Sequence, residues 1–430
     1  MNNLSIPSIK LAEGVNIHPL HTDKFKTNLI SVYFRIPLRR ETATLAALLP
    51  SVLKRGTEKY PTMAQLSARA EELYGASLSA GIAKKGDSEV IRFSVRYVSC
   101  DFLPEDITGG ILELLSQLVL CPKLTNGAFD AEYLAQEKEN TKSSIEGLIN
   151  DKKAYAQARC NEIMFEGDPY GVSEYGYIDE LEKITPQSLF EFYKSLLDTA
   201  AVEIFVSGSF DEETAVKRIA AEFSRLGART PKLPATRLAE READICVKDV
   251  TEPMPVTQSK LCIGYNCGIS PRSAEYADLR LFCAIFGGSP FSKLFNNVRE
   301  KLSLAYYVFS VIEGHKSCMK ISSGIEADKF RAAYDEINVQ LEKMKAGDFT
   351  DDEIESAKKY LATGFGSIKD SLDATENFYL DRLILGSGDS IDEYLERLCR
   401  VERDGIIRAA NSVQLDTIYF LKGEGSDAVQ

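Results

Sequence analysis

The chain has 430 residues, of which 44% are apolar and 27% charged, a balance typical of a folded protein rather than a disordered one. Lys and Arg total 51 against 64 Asp and Glu, so the net charge is −13, and the chain as a whole repels nucleic-acid phosphates and anionic membrane surfaces. At roughly 100–200 residues per domain, this length predicts two or three domains.

Neither a secretory signal nor a membrane span is expected. The start of the chain has no charged stretch followed by an apolar run, and no segment approaches the ~18 uninterrupted apolar residues of a span. The nine cysteines are odd in number and scattered, without a Cys-x-x-Cys pair. These features predict reduced thiols in a cytoplasmic protein.

The first half reads as a mixture of strands and helices. Residues 27–37 alternate as a strand does and lead into a helix-forming stretch, 41–53. Thr62 is placed to cap a second helix. A second alternating strand covers 90–98, and a long, highly charged helix is expected over 128–153. Strands beside helices without regular alternation favour an α+β fold with antiparallel sheets.

The second half repeats the pattern of the first. A strand at 259–268 again leads into a helix-forming stretch, 274–286. The two halves also close alike, since 201–208 and 416–423 share one strand-like pattern. This repeat predicts two homologous α+β domains, each a mostly antiparallel sheet packed with helices.

A linker is predicted between the halves. Residues 229–242 are charged, weakly apolar and contain prolines, as linkers often do. We therefore expect an N-terminal domain over 1–228, a linker over 229–250 and a C-terminal domain over 251–430.

One motif in the second half is specific enough to suggest a family. Arg299 to Tyr306 reads REKLSLAY and follows a Gly287-Gly288 turn. It resembles the Arg-Glu-x-x-Gly-Leu-Ala-Tyr pattern of the insulinase/pitrilysin family of zinc peptidases, mitochondrial-processing-peptidase type, and departs from it only at Ser303. The resemblance implies that Arg299 and Tyr306 contact substrate backbone and help to stabilise the oxyanion. Taken alone, the spacing also fits a surface ion pair and a packed tyrosine.

The first half resembles the same family without its metal site. Gly56-Thr57 fits the Gly-Thr that follows the family's zinc motif, His-x-x-Glu-His. The motif positions then fall on Ala47, Pro50 and Ser51, and none of the three histidines of the chain stands in such a motif. Ala and Pro carry no ligand atom, so the resemblance implies a lost zinc site and no bound cofactor.

A later stretch resembles the helix that carries the family's third zinc ligand. Glu146 falls at the ligand position and Glu139 at a supporting acidic position. Without the histidines, the favoured interpretation is the solvated face of a charged helix, on which both carboxylates are remnants.

The resemblance implies a non-catalytic bacterial subunit of a heteromeric zinc peptidase. Such a chain has no independent activity and forms a heterodimer with a zinc-bearing sister chain that cleaves peptides. A homodimer is the alternative state of the chain alone. A second hypothesis is an inert scaffold or binding module of the same fold, and some relatives are associated with modification of a translation elongation factor. A new hydrolase site is disfavoured, since no Gly-x-Ser-x-Gly elbow, phosphate loop or Cys/His dyad is evident.

Overall fold

The computed structural model describes residues 6–233, 238 and 246–424. Of the linker predicted at 229–250, residues 234–237 and 239–245 lie outside the described residues. The chain forms two compact units, and neither is a single stretch of sequence. Among the described residues, the first unit comprises 6–147, 172–233 and 371–381, and the second comprises 148–171, 238, 246–370 and 382–424. We call 148–171 and 371–381 the exchanged segments. The linear boundaries at 228 and 251 stay a prediction.

The strands of the first unit form one mixed sheet. They are β1 (Ile9–Ala12), β2 (Val15–His21), β3 (Thr27–Pro37), β4 (Ser77–Lys85), β5 (Ser88–Val98) and β6 (Ala201–Gly208). Their order across the sheet is β1-β2-β6-β3-β5-β4, and only β2 and β6 run parallel. In this register Tyr33 lies between Arg92 on β5 and Glu203 on β6.

The second unit contains a sheet of the same design. Its strands are β7 (Lys248–Met254), β8 (Ser259–Asn266), β9 (Ala305–Glu313), β10 (Cys318–Ile325) and β11 (Gln414–Gly423). The order is β7-β11-β8-β10-β9, and only β7 and β11 run parallel. Strands β8 and β11 hold the places that β3 and β6 hold in the first sheet, so the repeat seen in the sequence has a structural counterpart. The α+β fold predicted from the sequence is confirmed.

Helices flank both sheets. In chain order they are α1 (Arg40–Leu53), α2 (Met63–Glu72), α3 (Thr108–Leu120), α4 (Ala131–Leu148), α5 (Lys152–Met164), α6 (Ile178–Leu181), α7 (Pro186–Thr199), α8 (Glu212–Glu222), α9 (Tyr276–Cys283), α10 (Phe330–Lys345), α11 (Asp351–Gly366), α12 (Leu372–Leu385), α13 (Ile391–Cys399) and α14 (Arg403–Ser412). Thr62 caps α2 as expected, because its side chain accepts a hydrogen bond from the backbone N–H of Gln65 at 3.3 Å. In the part of the chain described, no helix is long and apolar enough to cross a bilayer.

The predicted helix over 128–153 is two helices in the structure. α4 ends at Leu148, and α5 begins at Lys152. Asp151 starts the second helix, because its carboxylate accepts hydrogen bonds from the backbone N–H groups of Lys153 and Ala154, both at 3.0 Å. The charge pattern continues through this break, so it gave no sign that α5 belongs to the other unit.

The first unit has one apolar and one polar sheet face. Along β3, the buried side chains of Val32 and Phe34 join the core with Leu48 and Leu49 of α1. Tyr33 points to the opposite face, as strand alternation requires. That opposite face carries charged and hydroxyl side chains, and the exchanged segment 371–381 packs there.

The exchanged segment 148–171 packs on the second sheet. Ala156 and Cys160 of α5 are buried against Cys262 and Tyr419. The end of the segment carries Asp168, whose two carboxylate oxygens accept hydrogen bonds from Lys316 Nζ at 2.9 and 3.0 Å. The Lys316 side chain is 1% exposed and that of Asp168 is 24% exposed, so the ammonium is buried and its carboxylate partner lies at the edge of the interior. All nine cysteines lie in the described residues, and their thiols are free.

Candidate functional site

The positions that match the zinc motif lie on α1. Pro50 is buried inside this helix, Ala47 is half-buried, and Ser51 is exposed. The helix continues past the proline, since the backbone N–H of Lys54 donates to the Pro50 carbonyl at 3.3 Å. Nowhere in the described residues do three or more His, Cys, Asp or Glu side chains form a group suited to a metal ion. The α1 side chains at these positions carry no imidazole or carboxylate.

The Gly56-Thr57 pair has a structural role in this chain. A Cβ added at Gly56 would lie 2.5 Å from the carbonyl oxygen of Pro61, so only glycine fits there. Thr57 is buried, and its hydroxyl accepts a hydrogen bond from the backbone N–H of Tyr60 at 2.9 Å. The pair therefore closes a tight turn between α1 and α2, and this turn needs no metal.

The two acidic positions on α4 point to solvent. Glu139 and Glu146 are both exposed. The neighbouring Glu137 is instead buried and forms an ion pair with Arg55, which follows α1. The sequence analysis missed this pair. The two residues are 82 positions apart, and nothing in the local pattern separates Glu137 from the other carboxylates of the helix.

The Arg299 and Tyr306 side chains line one groove in the second unit. Arg299 lies in a π-helical segment, Phe295–Lys301, and Tyr306 is the second residue of β9. The groove has a volume of about 360 Å³ and is also lined by Glu300, Ser303, Leu304, Ala305, Glu326 and Lys329. Both side chains are accessible, with 43% of the Arg299 side chain and 57% of Tyr306 exposed. The motif thus brings its cation and its phenol to one open surface.

The backbone between them makes a sharp reversal at Ser303. This serine has φ +49°, in the left-handed region, where the family pattern has glycine. Its N–H donates to the Arg299 carbonyl at 3.1 Å, and the Leu304 N–H donates to the Val298 carbonyl at 2.9 Å. These bonds end the helical segment and direct the chain into β9. The reversal is what places Tyr306 beside Arg299.

The Gly287-Gly288 turn precedes this segment. A Cβ at Gly287 would lie 2.7 Å from Ser310 Oγ and 2.8 Å from Leu294 Cδ1. The turn therefore lets the backbone pass close to β9. Neither glycine lines the groove, and the expectation that this turn is a substrate loop stays a prediction.

Hydrogen bonds tie Tyr306 to the loop after β10. Its hydroxyl donates to Glu326 Oε1 at 3.1 Å, which raises the pKa of the phenol above its ordinary value. Lys329 Nζ lies 3.0 Å from Glu326 Oε2, and this bond, followed by that from Tyr306, lowers the pKa of the Glu326 carboxyl. Arg299 stacks its guanidinium 4.8 Å from the centre of the Phe295 ring and lies 3.5 Å from Glu300. The groove therefore offers a fixed cation beside a hydroxyl held by a carboxylate.

Comparisons of the sequence and of the fold with known proteins give matches to peptidase-like proteins. Residues 183–361 match the family description "Peptidase M16 inactive domain". The chain is 35% identical to the "Probable inactive metalloprotease YmfF" of Bacillus subtilis (strain 168), over 95% of this chain and 96% of that protein. It is 24% identical to the "Uncharacterized zinc protease YmxG" of the same organism, over 67% of this chain and 69% of that protein.

A solved structure covers the whole fold. The crystal structure of a conserved protein from Enterococcus faecalis V583 superimposes with a TM-score of 0.90 at 31% identity, over 98% of this chain and 99% of that chain. The insulinase-like resemblance of the motifs is confirmed by these matches. The chain therefore belongs to the peptidase M16 family, as an inactive metalloprotease-like member.

Proposed function

We propose that this chain is the non-catalytic subunit of a two-chain zinc peptidase, in which it supplies Arg299 and Tyr306 to a zinc-bearing sister chain that cleaves peptides. The observation that carries the proposal is the shared groove. A chain whose α1 has no metal ligand still presents both side chains of the family's substrate motif on one accessible surface.

The chemistry of the groove suits a role in the transition state. A guanidinium is always charged near neutral pH and donates hydrogen bonds without changing its protonation state. Aimed at an oxygen on which negative charge develops, such a donor stabilises the transition state more than the bound peptide. The Tyr306 hydroxyl can supply a second contact to the same peptide group once it is released from Glu326. The metal, and the water that it activates, would belong to the partner.

A relative supports the existence of such a partner. Bacillus subtilis contains both the inactive metalloprotease that resembles this chain and a protein named as a zinc protease. We infer a cytoplasmic heterodimer of this chain with a zinc-bearing protein of that kind, and a peptide as its substrate. A homodimer is our proposal for the chain without its partner.

The test is reconstitution with the zinc-bearing chain that co-purifies from native cells. We expect Arg299→Ala to lower the kcat of peptide cleavage by about 10²–10³ while KM changes less, because the lost contact acts mainly in the transition state. Arg331→Ala is the matched control, since Arg331 is 78% exposed on α10 and lies outside the groove. Full activity of Arg299→Ala in an assembled complex, or the absence of any co-purifying zinc protein, would refute the proposal.

A scaffold or binding module is the second candidate. The observation that favours it is the bond from Tyr306 to Glu326, because a hydroxyl that donates to a carboxylate has no proton left for an oxyanion. Tyr306→Phe distinguishes the two roles, with Tyr360→Phe as a control at a tyrosine that is 41% exposed elsewhere in the same unit. Loss of cleavage only in the Tyr306 variant supports the catalytic role. Unchanged cleavage in both variants, together with intact assembly, supports the scaffold.

A further inference from the structure

The exchanged segment 371–381 carries its charged side chains, together with Asn377, on one helical face. Asp373, Glu376, Asn377 and Asp381 follow the three- and four-residue spacing of a single face of α12. Each of them contacts the polar face of the first sheet. Polar and charged side chains therefore contribute to the docking of this segment, whereas the opposite sheet face packs through apolar residues.

Glu376 lies at the centre of this contact and is fully buried. Tyr33 donates its hydroxyl to Glu376 Oε2 at 3.1 Å, and Ser207 donates to Oε1 at 2.8 Å. The nearest cation is Arg92, whose Nη2 lies 3.5 Å from Oε2. The same nitrogen is closer to Asp373 Oδ1, at 2.7 Å.

The surrounding charges do not compensate for the burial of a second carboxylate. The groups that face Glu376 are Tyr33 and Ser31 on β3, Arg92 on β5, Ser207 on β6 and, along its own helix, Asp373. Arg96 and Lys85, on β5 and β4, bind Asp373 and Asp381 rather than Glu376.

Arg92 is thus shared by two carboxylates, and the buried one, Glu376, lies farther from it than Asp373 does. Burial accordingly raises the pKa of Glu376 to about 7, with Arg92 acting against it.

We propose that Glu376 makes the docking of residues 371–381 on the first sheet dependent on pH, so that the segment binds more tightly when the Glu376 carboxyl carries a proton. Three hydroxyls and one cation that is shared with Asp373 suffice for a neutral carboxyl in this cluster and fall short for an ionised one. The polar face of the first sheet is then covered firmly in mildly acidic solution and more loosely above neutral pH.

The sign follows from proton linkage. A carboxyl whose pKa is higher in the docked state than its ordinary value of 4.5 stabilises docking below that value, and the contribution is lost as the pH rises towards 7. Asp373 does not titrate in this range. Although its burial acts the other way, Arg92 and Arg96 lower the pKa of its carboxyl. Between pH 6.0 and 8.5 the undocking equilibrium should increase about tenfold, given a docked pKa of about 7.

Hydrogen exchange of the full chain tests this inference. Protection factors for amides in 371–381, corrected for the intrinsic exchange rate, should fall about tenfold from pH 6.0 to 8.5, relative to peptides of α10. In Glu376→Gln, which mimics the protonated carboxyl, the fall should disappear. Asp381→Asn is the matched control, because it removes a docking contact with Lys85 at both pH values, leaves Arg92 shared as before and should keep the fall. A flat profile in the parent chain, or an equal fall in Glu376→Gln, would overturn the proposal.

A carbon-13 titration gives an answer even if Glu376→Gln does not fold. Labelled glutamate side chains in the parent chain should include one buried carboxyl that titrates near pH 7, a value well above that of the exposed glutamates. If Glu376, the single glutamate of the segment, titrates near its ordinary pKa, the contact does not respond to pH and the proposal fails. Neither measurement involves peptide cleavage, so the outcome is independent of the function proposed above.

Discussion

Two serines of the second unit share a strained backbone conformation and differ in what their side chains do. Ser303 has φ +49° and Ser317 has φ +53°. Ser303 is exposed at the reversal into β9. Ser317 is fully buried, where its hydroxyl donates to the Ile269 carbonyl at 2.6 Å and accepts from the Ile269 N–H at 3.0 Å. The strain at Ser317 is therefore offset by hydrogen bonds of its side chain, whereas Ser303 is held by bonds of its backbone.

Glycine substitutions should separate these two cases. Ser303→Gly should raise the free energy of unfolding by about 0.5–1 kcal/mol, since the Cβ strain that it relieves exceeds the entropy that glycine adds to the unfolded chain. Ser317→Gly should lower it by about 1–2 kcal/mol, because Ile269 loses both partners. Urea unfolding of the three proteins measures the differences. If both substitutions change the free energy of unfolding in the same direction, the side chain of Ser317 does not offset its backbone strain.

Sequence reasoning reached some of the residues at the groove and missed others. Arg299 and Tyr306 stand seven positions apart in a motif that resembles the family pattern, and this resemblance identified them as candidates. Glu326 lies 20 residues beyond Tyr306, in the loop after β10, and no local pattern marks it. Glu376 and Tyr33 are 343 positions apart, so the contact between them could only come from the fold.

At the scale of elements, the sequence predicted where strands alternate and where a helix is capped. It did not predict to which of the two units each helix belongs. The strand expected at 27–37 and the Thr62 cap correspond to β3 and the start of α2. The break between α4 and α5 was missed. The polar contacts that hold α5 and its following turn to the second sheet, such as Lys316 with Asp168, join residues 148 positions apart.

The ion pair between Lys316 and Asp168 should contribute strongly to the docking of that segment. Asp168→Asn keeps the shape of the side chain and removes the negative charge that faces the buried ammonium of Lys316. We expect a loss of about 2–4 kcal/mol in the free energy of unfolding. Chemical denaturation of the purified variant gives this value.

The control is an ion pair on the surface of the other unit. Arg40 and Asp179 have side chains that are 48% and 61% exposed, so Asp179→Asn should cost less than about 1 kcal/mol. If Asp168→Asn and Asp179→Asn lower the free energy of unfolding equally, the burial of Lys316 does not strengthen its ion pair with Asp168.

For the whole molecule, the main finding is that its two units are interleaved along the sequence. Residues 148–171 belong to the second unit, and 371–381 belong to the first. Internal repeats suggest linear halves, because each repeat shows its own strands and helices in order. A helix that packs in the other unit has the same periodicity of apolar residues as a helix that packs in its own unit. The exchange therefore could not be read from periodicity or composition.

Cleavage of the predicted linker should not separate the chain. Residues 229–250 are charged and proline-containing, so we expect limited proteolysis there to give two fragments of similar mass on a denaturing gel. Under native conditions the fragments should elute together in size-exclusion chromatography, since each contributes a segment to the other's unit.

The fragments can also be produced separately. A chain ending at residue 228 should be unstable when expressed alone and should be rescued by co-expression with a chain starting at residue 246. Two independently folded fragments that elute apart would show that the exchanged segments contribute little to either unit.

The place of residues 371–381 has a consequence for synthesis on the ribosome. Proteins emerge from the N-terminus, and domains generally fold as their residues become available. Here the sheet that contains β1 to β6 is complete in sequence at Gly208, yet its polar face acquires its cover only when residue 381 of 430 has emerged. During that interval Tyr33, Arg92 and Ser207 face the solvent or a chaperone. The first unit begins to form early in translation, and it is completed only near the end of translation.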